Sequence, residues 1–94
     1  MKYIVFWEFC PDDWEKIVPK FQEYMEDHEE NPGKYQEYLL GGHAFAGQTK
    51  GFSVVEATPE QITNVFLFWR GLLNLKYQPI GEVAKVVGQY LETK

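Results

Sequence analysis

His43 is the side chain best placed by its neighbours to do chemistry. It follows the flexible pair Gly41-Gly42 and opens a short apolar run, His43 to Ala46. An imidazole in that setting can serve as a general base or as a metal or haem ligand. The plainer reading is a strand-end histidine bonded to backbone. His28 lies in an acidic helical stretch and reads as solvated, and the two histidines lack the paired spacing of a zinc site. Among the carboxylates, Glu56 alternates onto one face with Phe52 and Val54, and Glu82 shares a face with Ile80 and Ala84. A carboxylate on a buried strand face must be paired or protonated, so both are acid–base candidates. Strand-end exposure is the plainer account of Glu56. His43 and Glu82 form the expected catalytic pair.

Trp7, Trp69, Arg70 and Glu56 form the expected ligand-binding set. Two tryptophans on buried faces can wall an apolar pocket between a sheet and its helices, or simply fill a core. Arg70, directly after Trp69, can anchor a carboxylate at such a rim or pair with a surface acid. Cys10 precedes Pro11 at a helix start, which favours a thiolate, but Asp12 and Asp13 oppose that charge. Gly47-Gln48-Thr49-Lys50-Gly51 lacks the full spacing of a phosphate loop. No motif implies a cofactor or a metal.

Several elements must position these residues. Residues 2–9, KYIVFWEF, read as a strand with apolar side chains on both faces: Tyr3, Val5, Trp7 and Phe9 on one, Ile4 and Phe6 on the other. Pro11-Asp12-Asp13 opens a helix whose stripe is Trp14, Ile17, Val18, Phe21 and Met25, widened by Tyr24. Pro19 predicts a kink, or a short first turn ahead of the main helix. Asn31-Pro32-Gly33 ends that helix. A second strand is expected at His43–Ala46 and a third at Gly51–Ala57, joined as a hairpin. Thr58-Pro59-Glu60-Gln61 is a helix start, followed by a stripe of Ile62, Val65, Phe66, Trp69 and Leu72 or Leu73, with Asn74 helping to end the helix. A last strand over Tyr77–Val87, bent at Pro79 or Gly81, and a frayed polar tail from Tyr90 complete the reading.

The resulting order, β-α-β-β-α-β, is that of a single ferredoxin-like α+β domain over residues 1–94, with an antiparallel sheet and two helices on one face. The other sheet face then needs cover, and the simplest cover is a second copy across a two-fold axis. Composition supports that expectation. Aromatic residues make up 17% of the chain, including three Trp and seven Phe, more rings than a chain of 94 residues can readily bury. The formal charge of −5 and the scattered lysines argue against a nucleic-acid partner. No stretch approaches the roughly 20 apolar residues of a membrane span. MKYIVFWEF is interrupted by Glu8 and is unlike a signal peptide. One cysteine fits a reducing compartment, so a cytoplasmic location is expected.

The segments KYIVFWEFCP, HAFAGQTKGFSVVEA, FLFWRGLL and YQPIGEV resemble a family of small uncharacterised proteins of about this length from archaea and bacteria, which carries a domain-of-unknown-function label. The resemblance covers nearly the whole chain and implies a dimeric α+β-barrel fold, with no activity or catalytic residues to carry over. That wider fold group includes cofactor-free monooxygenases, isomerases, haem-handling proteins and sensing domains, so fold alone does not choose a function. Three readings follow. The first is a homodimer that binds or senses a small apolar or aromatic ligand in an aromatic-walled pocket between sheet and helices. The second is a cofactor-independent monooxygenase or isomerase using His43 and a strand carboxylate. The third is an interaction module with no ligand.

Overall fold

A computed structural model describes residues 1–94. The β-branched and aromatic run at the start forms β1, Lys2–Glu8. Pro11–Asp13 then makes a short 3-10 turn that leads into α1, Trp14–Glu30. The short turn is at Pro11–Asp13, and Pro19, expected to kink the helix or to divide a short first turn from it, lies inside the continuous α1 without dividing it. Ile17 and Tyr24, buried on either side of it, anchor the helix to the body. The hairpin strands are β2, Glu37–Ala44, and β3, Lys50–Glu56. Helix α2, Pro59–Trp69, starts as its sequence dictates: Thr58 Oγ1 accepts from Gln61 N at 3.2 Å, and Gln61 Oε1 accepts from Thr58 N at 3.0 Å. Strand β4, Asn74–Pro79, and helix α3, Val83–Thr93, complete the chain.

The four strands form one sheet in the order β2-β3-β1-β4, antiparallel throughout. This is a ferredoxin-like arrangement extended by a C-terminal helix. Registers pair Val5 with Ser53 and Tyr77, and Phe6 with Phe52 and Lys76. The row Tyr3, Val5, Trp7 and Phe9 faces the helices. Phe9 joins Ile17, Tyr24, Tyr35, Val65 and Trp69 in the main core cluster, and Val5 packs with Val55 and Ala57 in a second. The opposite face carries Ile4, Phe6, Phe52 and Val54, all only partly covered although they lie on the two central strands.

Four sequence expectations are corrected. The stripe assigned to α1 is rotated: Ile17 and Tyr24 point inward, whereas Trp14, Val18, Phe21 and Met25 are about half exposed. The ring of Tyr24 fits the interior because its hydroxyl finds a partner there. Strand β2 starts six residues earlier than expected, since Tyr38 and Leu40 pair with Val55 and Val54, and irregular register between Tyr38 and His43 absorbs Gly41-Gly42 without breaking the ladder. Helix α2 stops at Trp69, where Arg70 turns extended and Gly71 takes φ +80°; Leu72 and Leu73 then pack on the core from a loop, and Asn74 opens β4.

The largest difference is at the C-terminus. The single bent strand expected over Tyr77–Val87 is instead β4, a break at Ile80-Gly81-Glu82, and a helix. The apparent alternation of Ile80, Ala84 and Val86 is short enough to fit either period. Val83, Val86, Val87, Tyr90 and Leu91 fall together at helical spacing, so Tyr90 belongs to an apolar helix face and not to a polar tail.

Candidate functional site

The space between sheet and helices is filled by an aromatic and polar cluster. The rings of Tyr24, Tyr35, Phe68 and Trp69 pack at centroid distances of 4.9–5.9 Å. At the centre lies Gln36, only 2% exposed. Its Nε2 donates to the Tyr38 hydroxyl at 3.1 Å, its Oε1 accepts from the Tyr77 hydroxyl, and its backbone carbonyl accepts from His28 Nε2 at 2.7 Å. A carbonyl only accepts, so His28 Nε2 carries a proton. The Tyr24 and Tyr38 hydroxyls meet at 2.8 Å. Burial raises the pKa of Tyr24, Tyr38 and Tyr77 above the ordinary tyrosine range, and these phenols stay neutral. At the margin, Asp27 accepts from Lys34, Tyr35 and Asn31, and these bonds, Lys34 first, pull its carboxyl down to about 2.

The expected site residues are dispersed around this cluster. Trp69 is core, 4% exposed. Arg70 is exposed at the end of α2. Glu56 sits at the end of β3, where its Oε1 accepts from the Met1 ammonium at 3.1 Å. Glu82 is not a strand carboxylate: it caps the start of α3, exposed, and pairs with Lys2 Nζ at 2.5 Å, which lowers its pKa. His43 lies in β2 opposite Phe52, at the opposite edge of the sheet from β4, three strands away, and near the far end of the sheet from Lys2. At roughly 4.8 Å per strand and 3.3 Å per residue, it stands well over 10 Å from Glu82, and the two do not converge. Cys10 is exposed and free.

His43 nevertheless has a defined geometry. Its Nδ1 lies 2.6 Å from the Gly41 carbonyl, so Nδ1 bears the proton, and in the neutral ring Nε2 keeps its lone pair. The ring stacks on Phe52 at 5.9 Å, and Phe52 in turn contacts Phe45 at 5.9 Å. Phe45 is one wall of a depression of about 370 Å³ at the end of the sheet where β1 stops and β3 and β4 begin. Its apolar lining is Phe6, Trp7, Phe45 and Leu75, and its charged lining is Glu8, Lys50 and Lys76. Of the expected ligand-binding residues, only Trp7 reaches it. Lys76 and Phe45 carry no sequence signature of a site, although the pairing of Phe6 with Phe52 and Lys76 assembles them as soon as the strand register is known.

No curated protein and no solved structure matches this sequence. No helix is long and apolar enough to cross a membrane. Over residues 1–93 the sequence matches the family described as a domain of unknown function, DUF3303. With nearly every residue inside that match and a small α+β fold of ferredoxin-like order, the chain belongs to the DUF3303 family.

Proposed function

We propose that the protein is a homodimeric small-molecule binder whose ligand is an apolar or aromatic ring bearing an acid group, held at the open end of the sheet. The observation that carries this reading is one depression of about 370 Å³ lined by Phe6, Trp7, Phe45 and Leu75 together with Lys50 and Lys76, two basic residues against the single acid Glu8. That volume suits a small ligand, the rings supply stacking surface, and the lysines supply charge for a carboxylate or enolate. A second copy laid on the open sheet face would roof the depression and exclude water. The pocket thus lies at the sheet's end and not between sheet and helices, where Gln36 and the tyrosines take up the space.

One observation favours the enzymatic reading as a second. His43, with Nδ1 tied to backbone and Nε2 free, stands one ring away from the pocket wall through Phe52. A cofactor-independent isomerase or monooxygenase using Nε2, without Glu82, needs its substrate on the His43 side of Phe52, within about 3 Å of that nitrogen.

The test is a thermal-shift screen against small aromatic acids, quinones and haem, alongside a solution-mass measurement. A ligand at a hundred times its Kd adds about 2.7 kcal/mol, and a domain of this size gains roughly 4–8 °C per kcal/mol. An aromatic acid at that excess is expected to raise Tm by roughly 10–20 °C in the wild type and not in a Phe45→Ala/Lys76→Ala variant. A shift that survives both substitutions, or none across the whole screen, rejects the site.

A further inference from the structure

Helix α3 has no partner in its own chain. All of its residues, Val83–Thr93, are exposed, including five large apolar ones: Val83 at 78%, Val86, Val87, Tyr90 and Leu91. They form one stripe on a helix of eleven residues, about 16 Å long. A helix that short is marginal in water on its own, and its stability must come from docking that stripe.

The helix also stands away from the body. The radius of gyration is 15.5 Å, against about 12 Å for a compact chain of 94 residues. The longest dimension is 54 Å, against 32 and 18 Å for the others. Its root is fixed on a particular side. Glu82 pairs with Lys2, and Lys2 shares the open sheet face with Ile4 and Phe6. The arm therefore leaves from the side of the sheet that the helices do not cover.

We infer that α3 is an exchanged arm whose apolar stripe docks on the open sheet face of a second copy, around Ile4, Leu40, Phe52 and Val54 and clear of the depression at Phe6 and Phe45, each copy clasping the other. This rests on the dimer proposed above and names the element that holds it. Two features choose a second copy over another partner. First, both halves of the contact are on this one chain, so a two-fold axis satisfies each reciprocally. Second, the open face alone is small. Four strands at about 4.8 Å and seven residues at about 3.3 Å present roughly 440 Å² in projection, whereas stable interfaces bury about 800 Å² per partner. The arm extends that surface and adds five apolar side chains to it.

The experiment uses the full chain. Sedimentation equilibrium compares wild type with Val86→Glu/Leu91→Glu, two positions exposed in the single chain, and amide exchange of residues 83–93 is followed at 1 and 100 µM wild type. The expected result is a wild-type dimer of twice 11.0 kDa, weakened about a hundredfold or more by the two glutamates with the sheet's circular dichroism unchanged, and α3 amides protected only at the higher concentration. If the variant dimerises as tightly as wild type, or α3 exchanges freely in the wild-type dimer, the arm is overturned while the dimer stands. If wild type is a monomer at 100 µM, dimer and arm both fall.

Discussion

Gln36 shows how much one polar side chain can organise. It is buried between Tyr38 and Tyr77, and both ends of its amide are used. Replacing it with leucine keeps the volume but leaves the Tyr77 hydroxyl without its acceptor. An orphaned buried polar group costs about 1–3 kcal/mol, so Gln36→Leu is expected to lower the unfolding free energy by that amount, read as a lower urea midpoint at an unchanged slope. A midpoint equal to wild type would mean that water serves these hydroxyls as well as Gln36 does. Nothing in the stretch around Gln36 announces this role. One partner, Tyr77, is 41 residues away, and the pairing exists only once β4 is laid beside β1. His43 was more legible, because its bond to Gly41 is local, but its stacking on Phe52 again depends on the register of β2 with β3.

At the scale of elements, β2 and β3 leave no room for a side chain at Gly51. A Cβ there would overlap the His43 carbonyl and approach Trp7 Cζ2 to 2.6 Å. Gly51→Ala must push β2 outward or turn Trp7 from its stack on Phe9, and such overpacking costs about 1–3 kcal/mol. The expected outcome is a destabilised chain with altered tryptophan fluorescence, since Trp7 forms part of the pocket wall; a neutral result would show that the hairpin gives way freely. The elements with local chemistry were readable from residues alone. Thr58-Pro59 with Gln61 starts α2, the β-branched and aromatic run makes β1, and Asn31-Pro32-Gly33 follows α1. What failed were choices between periods within short apolar runs. Residues 80–87 fit a strand as well as a helix, and in α1 the adjacent stripes through Tyr24 and through Phe21 differ only by which side chain has a partner inside.

Across the whole molecule, the clustered phenols tie stability to pH. Tyr24, Tyr35, Tyr38 and Tyr77 are all held above the usual tyrosine pKa, with burial the first cause in each. The folded chain retains protons that the unfolded chain releases. Their contribution is therefore complete below roughly pH 10, the unfolded value, and is lost as pH rises beyond it. Alkaline titration should show tyrosinate absorbance from these four rings appearing together with loss of the far-ultraviolet signal. Ionisation of the four with the fold intact would contradict the geometry of the cluster.

The irregular register of β2 has a consequence for how copies of this chain can meet. A straight outer strand rich in leucine and phenylalanine invites end-on addition of further chains, rung by rung, into ribbons and fibrils. Here the ladder is thrown out of step twice between Tyr38 and His43, so an incoming strand finds no continuous line of amides and carbonyls to match. Growth along that margin is discouraged.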